Sequence, residues 1–147
     1  MNLNGKCLIA GALALALAPL MDARGQVGGP CAYDSYPGAC TIATVSKTEA
    51  SISQKSIAGG PGYEGFEITF SYAGEAPQDN PLVRQALSRR RDLLLVNGWR
   101  PGPRFLEKYA IAPGKVFRCA LDVIKSGSCT PTLFRFPAID QADYFER

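Results

Sequence analysis

Phe66-Glu67-Ile68-Thr69-Phe70-Ser71-Tyr72 alternates apolar and polar residues without a break. Successive side chains of a strand point to opposite faces. Phe66, Ile68, Phe70 and Tyr72 therefore share one face, and Glu67, Thr69 and Ser71 the other. One dry face and one wet face is the pattern of an antiparallel sheet. Gly59-Gly60-Pro61-Gly62 turns the chain before this strand, and Gly74 to Gln78, with Pro77, leads out of it.

Other strands can be placed around this one. Cys40-Thr41-Ile42-Ala43-Thr44-Val45-Ser46 is rich in β-branched residues and reads as a first strand. The segment before it, Gln26 to Gly38, is rich in Gly, Pro and Tyr and reads as a loop. Ser51 to Ile57 is polar with two isoleucines, which fits a short edge strand. Phe117, Cys119, Leu121 and Val123 alternate with Arg118, Ala120 and Asp122. Lys125 to Ser128 then turns the chain and Thr132 to Phe136 returns it, so this region predicts a β-hairpin with a longer loop. Asp140 is placed to cap a short helix in the tail.

One stretch has helical period. Asn80 suits an N-cap, Pro81 suits the first helical position, and Asn97-Gly98 supplies a left-handed stop. Between them Leu82, Val83, Ala86, Leu87, Leu93 and Leu94 share one face at about 100° per residue. Arg90 falls in the middle of that face, where a bare buried guanidinium is costly. Three arrangements resolve the conflict. Arg90 snorkels to water, or it pairs with a buried carboxylate, or the helix ends near Arg91 and residues 93–96 form a strand. Beyond it, Trp99-Arg100-Pro101-Gly102-Pro103-Arg104 is too punctuated for regular structure, and Phe105 to Tyr109 fits one helical turn.

The chain has 147 residues, enough for one domain. Residues 1–25 read as a secretory signal: Lys6, an apolar run from Cys7 to Met21, then Ala23-Arg24-Gly25 before Gln26. The apolar run is too short for a comfortable membrane span. Residues 26–147 then form a single exported domain, periplasmic or extracellular, with no transmembrane span. Four cysteines remain in it, Cys31, Cys40, Cys119 and Cys129, and an even count in an exported chain predicts two disulfides. Across the predicted hairpin, Cys119 lies about five residues from the rung of Cys129, roughly 16 Å at 3.3 Å per residue. Bridged Cα atoms lie within about 7 Å. The favoured pairing therefore joins Cys31 and Cys40 each to one of the two C-terminal cysteines. The local pairing, Cys31 with Cys40 and Cys119 with Cys129, is the alternative.

The chain has no histidine. That removes the commonest general base, the commonest metal ligand and every Ser-His-Asp or Cys-His arrangement. No cofactor or metal is expected. Gly59 to Gly62 lacks the following Lys-Ser/Thr of a phosphate loop, and Glu64 and Glu67 fall on opposite faces of a strand. Asp34, Asp140 and Asp143 are too scattered for a calcium loop.

Charge is uneven. From Arg84 to Arg118 there are nine basic residues against Asp92 and Glu107; from Gln26 to Asn80 there are two against six acidic. Arg89, Arg91, Trp99, Arg100, Arg104 and Lys108 are the candidate binding residues. Guanidinium forks suit phosphate and carboxylate, and an exposed ring stacks on a sugar or an acyl edge. In an exported protein the partner this predicts is an anionic envelope component or an acidic protein, with nucleic acid a poor fit to the compartment.

These elements predict an α+β fold: a mainly antiparallel sheet or small half-open barrel of four or five strands, one packed helix and two disulfides. A closed barrel of the oligosaccharide/oligonucleotide-binding kind is also compatible with the order. For function, the sequence points to a non-catalytic binding protein of a bacterial-type envelope; a small exported hydrolase using acidic residues on a cell-wall polymer is the alternative.

Overall fold

The structure is a computed structural model and describes residues 30–144. The expected signal segment and its cleavage site lie outside the described residues. Five strands form one antiparallel sheet: β1 (Ala32–Ser46), β2 (Glu67–Gly74), β3 (Arg91–Asp92), β4 (Val116–Ser126) and β5 (Thr132–Arg135), in the order β3-β2-β1-β4-β5. Three short helices join them, α1 (Glu49–Ser53), α2 (Pro81–Leu87) and α3 (Pro103–Lys108). The sheet curls into a half-barrel with β3 and β5 as edges, and so stops short of a closed barrel.

The two alternating stretches form β2 and the β4–β5 hairpin. Ile42 stands opposite Phe70, and Cys40 opposite both Tyr72 and Phe117, so one face collects the core. Phe70 sits at its middle, edge-on to Phe134 and to Phe136 with ring centroids 5.1 Å apart in each case. Each such pair adds about 0.5–1.5 kcal/mol beyond the area it buries.

β1 begins at Ala32, well before the expected Cys40. Its Gly/Pro composition hides a strand that is legitimate in this setting. Ile42 N–H donates to the Lys115 carbonyl at 2.8 Å. Alternation along an antiparallel ladder then bonds Tyr36, Gly38 and Cys40 to β4 and turns Pro37 to the other side. On that side the β2 ladder stops at Gly38, so the missing N–H of Pro37 deprives no partner. The Tyr72 hydroxyl donates to the carbonyls of Tyr36 (2.9 Å) and Pro37 (3.2 Å). Its ring lies so close to Gly38 that an added Cβ would meet a ring carbon at 2.6 Å.

Both disulfides join N-terminal to C-terminal cysteines, as favoured. Cys40 and Cys119 lie diagonally on adjacent strands, two residues out of register and on the same face, with Cα atoms 5.8 Å apart. Cys31 and Cys129 tie the start of β1 to the β4–β5 loop, at 6.2 Å.

Three local expectations are corrected. Ser51 to Ile57 is α1 followed by a 3₁₀ turn, where a short strand was expected. The deciding signal is a capping box: Ser51 N–H donates to Thr48 Oγ1 and Thr48 N–H to Ser51 Oγ. The tail around Asp140 is a turn, with Asp140 Oδ1 accepting from Ala142 N–H at 2.9 Å.

The third correction concerns the helix. Asn80 caps it and Pro81 opens it as expected, but α2 ends at Leu87. Arg91 and Asp92 pair with β2, Leu93 N–H donates to the Ile68 carbonyl, and Leu93 and Leu95 are buried with Leu94 half-buried between them. The helix thus stops short, as the third resolution of the Arg90 conflict requires, but the strand that follows is Arg91–Asp92. Residues 93–95 are irregular and 96–97 form a turn, so the strand expected over 93–96 is corrected. A continued helix would withdraw Leu93 and Leu95 from the Phe70 core, and burying each is worth about 1.5–3 kcal/mol. A few more turns of isolated helix gain much less. Gly98, at φ 84°, closes a tight turn in which Leu95 N–H donates to the Trp99 carbonyl.

Candidate functional site

The end of α2 and the entry into β3 place three arginines in succession on an edge of the sheet. Val83 and Ala86 anchor α2 on Leu121 and Val123. Ser88 Oγ closes the last turn by donating to the Gln85 carbonyl at 2.9 Å. The chain then bends at Ser88 and Arg89 and joins β2 where Arg91 pairs with Phe70 and Asp92 with Thr69. Arg89 and Arg90 are exposed and Arg91 half-buried. Among the described residues none of the three has a salt bridge or a side-chain hydrogen bond, and with Asp92 and Leu94 they line a concavity of about 330 Å³.

The other candidate residues lie elsewhere. Arg91 is level with Phe70, whereas Pro101 accepts from Phe66 N–H at 2.8 Å. Those rungs are four residues apart, about 13 Å at 3.3 Å per residue. Trp99 packs its ring partly into the core and borders a small recess of about 50 Å³ with Tyr63, Asn97 and Tyr144. Arg100 is half-buried because buried Gln54 clamps its backbone: Arg100 N–H donates to Gln54 Oε1 and Gln54 Nε2 to the Arg100 carbonyl, each at 3.1 Å. Arg104 is exposed on the first turn of α3. Lys108 pairs with Asp143, which also accepts from the Tyr109 hydroxyl at 2.7 Å. The Lys108–Asp143 hydrogen bond raises the Lys108 pKa; burial, with the bond to Asp143, raises that of Tyr109.

The structure thus brings Arg89 and Arg91 together and distributes Trp99, Arg100, Arg104 and Lys108 over other parts of the surface. It adds Arg90, which on a continuous helix belongs to the apolar face and in the folded chain completes the arginine run. It also gathers Lys115 and Arg118 with Lys108, Tyr109 and Phe117 around a broad depression of about 720 Å³. Arg118 was legible as the polar partner of the Phe117–Val123 alternation, but the turn that brings Lys115 beside it was not.

Several carboxylates are held in ion pairs. Glu64 lies 2.6 Å from both Lys47 and Lys55, whose hydrogen bonds push its pKa down to about 2. Burial works to raise the Asp122 pKa, but hydrogen bonds from Arg135 and Ser35 outweigh it and the net movement is downward. Asp34 meets Lys125 at 3.5 Å. Among the described residues no group of three or more His, Cys, Asp or Glu side chains is arranged to hold a metal ion, and no helix is long and apolar enough to cross a membrane.

Set against known proteins, the chain matches no family, no curated protein and no solved structure.

Proposed function

We propose that the protein is a small exported, non-catalytic binding module that takes an anionic partner at Arg89, Arg90 and Arg91. One observation carries this reading. Three successive guanidinium groups surround a single concavity with no ion pair or side-chain hydrogen bond among the described residues, while Lys47, Lys55, Lys108, Lys125 and Arg135 are all paired. Unspent forks on a sheet edge are suited to the carboxylates or phosphates of an anionic envelope component or an acidic protein. Export is supported by the signal-like first 25 residues and by two disulfides, which persist in oxidising compartments. The hydrolase alternative gains no such support. The pKa values of Glu64 and Asp122 are both lowered, away from the raised pKa of a general acid.

The test is co-sedimentation of the purified protein with isolated cell-envelope fractions, beside an Arg89→Ala/Arg90→Ala/Arg91→Ala variant. Salt is raised from about 0.01 M, where charges act over about 30 Å, to about 1 M, where they act over about 3 Å. Retention at low salt that is lost both at high salt and in the variant is the expected result. Equal retention of the two proteins overturns the reading. An Arg100→Ala/Arg104→Ala variant that alone lost retention would move the site to the Trp99 region.

A further inference from the structure

Every strand of the sheet is antiparallel to its neighbours, so the two edge strands, β3 and β5, run in the same sense. The curl brings these edges to opposite sides of one cleft of about 370 Å³, lined by Leu93 and Leu94 from one edge and Leu133 and Phe134 from the other, with Phe70 and Phe136 beneath. That volume is within the range of ligand clefts, about 300–1,000 Å³. Arg91 and Thr132 also border a common depression, so both strands begin at the same end of the cleft. At the other end Gln141 closes it, donating to the Leu94 carbonyl at 2.7 Å and accepting from Val96 N–H at 3.0 Å.

The hydrogen-bond alternation shows what the edges offer. Leu93 N–H donates to the Ile68 carbonyl at 2.8 Å, so Arg91 and Leu93 bond to β2 and the backbone of Asp92 turns toward the open side. Ile124 N–H donates to the Pro131 carbonyl at 2.9 Å, so Leu133 and Arg135 bond to β4 and the backbones of Thr132 and Phe134 turn outward. Gln141 takes the Leu94 carbonyl, so the outward backbone groups left to a ligand are those of Asp92 on one edge and of Thr132 and Phe134 on the other. Facing edges of this kind are the ingredients of strand addition.

We propose that this cleft receives one extended peptide segment of a protein partner, antiparallel to both β3 and β5, with its acidic C-terminal end at Arg89–Arg91. Polarity follows from the strand directions. A segment that opposes β3 passes Leu94 first and Arg91 last, so its C-terminal side reaches the arginines, and a carboxylate there meets their forks. Alternate side chains point inward onto the half-buried Phe134, above the buried Phe70 and Phe136, which selects apolar residues at every second position. A sixth strand in this sense closes the half-barrel with an antiparallel ladder on each side. The inference rests on the reading of Arg89–Arg91 as the binding site and adds the class and direction of the ligand.

The experiment uses two arrays of random peptides of about seven residues, long enough at 3.3 Å per residue to cross the cleft. One is anchored through the N-terminus, leaving the carboxylate free, and one through the C-terminus; both are probed with the labelled protein. The first array is expected to yield peptides with alternating apolar residues and an acidic end, with recovery about tenfold over the second. Solution affinity of these peptides is expected to fall about tenfold on backbone N-methylation and about tenfold in the Arg89→Ala/Arg91→Ala variant, since each change removes hydrogen bonds to the ligand. Absence of enrichment, equal recovery from both arrays, or indifference to N-methylation overturns strand addition. If envelope retention still depends on the arginines in that case, the anionic site stands without it; if retention is also indifferent, both fail. Concentration-dependent dimerisation abolished by the selected peptides would make a second copy of this chain the occupant and overturn a separate partner.

Discussion

β1 and β4 are paired without interruption from Tyr33 to Thr41, with a bulge before Tyr33, and two disulfides close the same half of the sheet. β3 is paired with β2 only at Arg91 and Asp92, and residues 93–96 are held by the Leu93–Ile68 bond, by Gln141 and by the burial of Leu93 and Leu95. The centre is fixed by covalent bonds and long ladders; the edge is fixed by two leucines. Binding elements are drawn from the less stable end of a structure, because a surface that must meet a partner cannot spend its polar groups internally. On this view the unpaired arginines and the short strand that carries them are one design feature.

The comparison is broken most severely at the centre. Loss of Cys40–Cys119 by Cys→Ser changes is expected to destabilise the protein by at least about 4 kcal/mol. With Cys31–Cys129 intact the bridge closes only the 19 residues between the two separations of 98 and 79, worth about 3 kcal/mol, and the buried Cys40 and Cys119 positions then leave two serine hydroxyls in the core. Loss of Cys31–Cys129 is expected to cost less, about 3 kcal/mol. Its ends are 98 residues apart, but with the inner bridge intact it closes only the remaining 19. Urea denaturation of the two double variants checks the order. A larger loss at Cys31–Cys129 would mean that the centre is held mainly from the rim.

A smaller effect distinguishes the extended edge from a helix. Leu93 is 1% exposed and Leu94 is half-buried. Leu93→Ala is expected to cost roughly 3 kcal/mol and Leu94→Ala about 1 kcal/mol. On a continuous helix both fall on the apolar face and cost alike. Equal losses in thermal or urea unfolding would therefore restore the helix and remove the arginine edge.

The same residues show what was legible beforehand. Where a strand has one dry face, as in Phe66–Tyr72 and Phe117–Val123, period two is written in the residues and no knowledge of the neighbours is needed. From this came the antiparallel sheet, the hairpin and the preference for long-range disulfides over a Cys119–Cys129 bridge. Residues 82–96 carry a helical period over their whole length, and only the demand of Phe70 for Leu93 and Leu95 stops the helix at Leu87. That demand is tertiary, so the sequence showed its symptom, Arg90 on the wrong face, without deciding between three cures. Pro37 is the converse case: its ring argues against a strand unless the end of the β2 ladder is known. For the site, residue type was legible and placement was not. The arginines next to one another in sequence stayed together, while Trp99, Arg100, Arg104 and Lys108 were separated by the turn at Gly98 and the clamp of Gln54.

The smallest effect on stability belongs to the arginines themselves, and charge elsewhere supplies the contrast. Glu64, between Lys47 and Lys55, has its pKa lowered from 4.5 to about 2. A carboxylate with a depressed pKa stabilises the fold above its unfolded value and loses that contribution as pH falls through its folded one. The wild type is therefore expected to lose stability as pH drops from 4.5 toward about 2, and Glu64→Gln to flatten that limb, with Asp122 retaining part of the slope through Arg135. The Arg89→Ala/Arg90→Ala/Arg91→Ala variant has no internal partner to lose among the described residues. Its melting profile is expected to follow the wild type at every pH, with a stability change within about 0.5 kcal/mol. Thermal unfolding across that pH range measures both. A loss of more than about 1 kcal/mol in the arginine variant would show that these side chains support the fold, and the contrast between a structural centre and a binding edge would fail at the residues chosen to carry it.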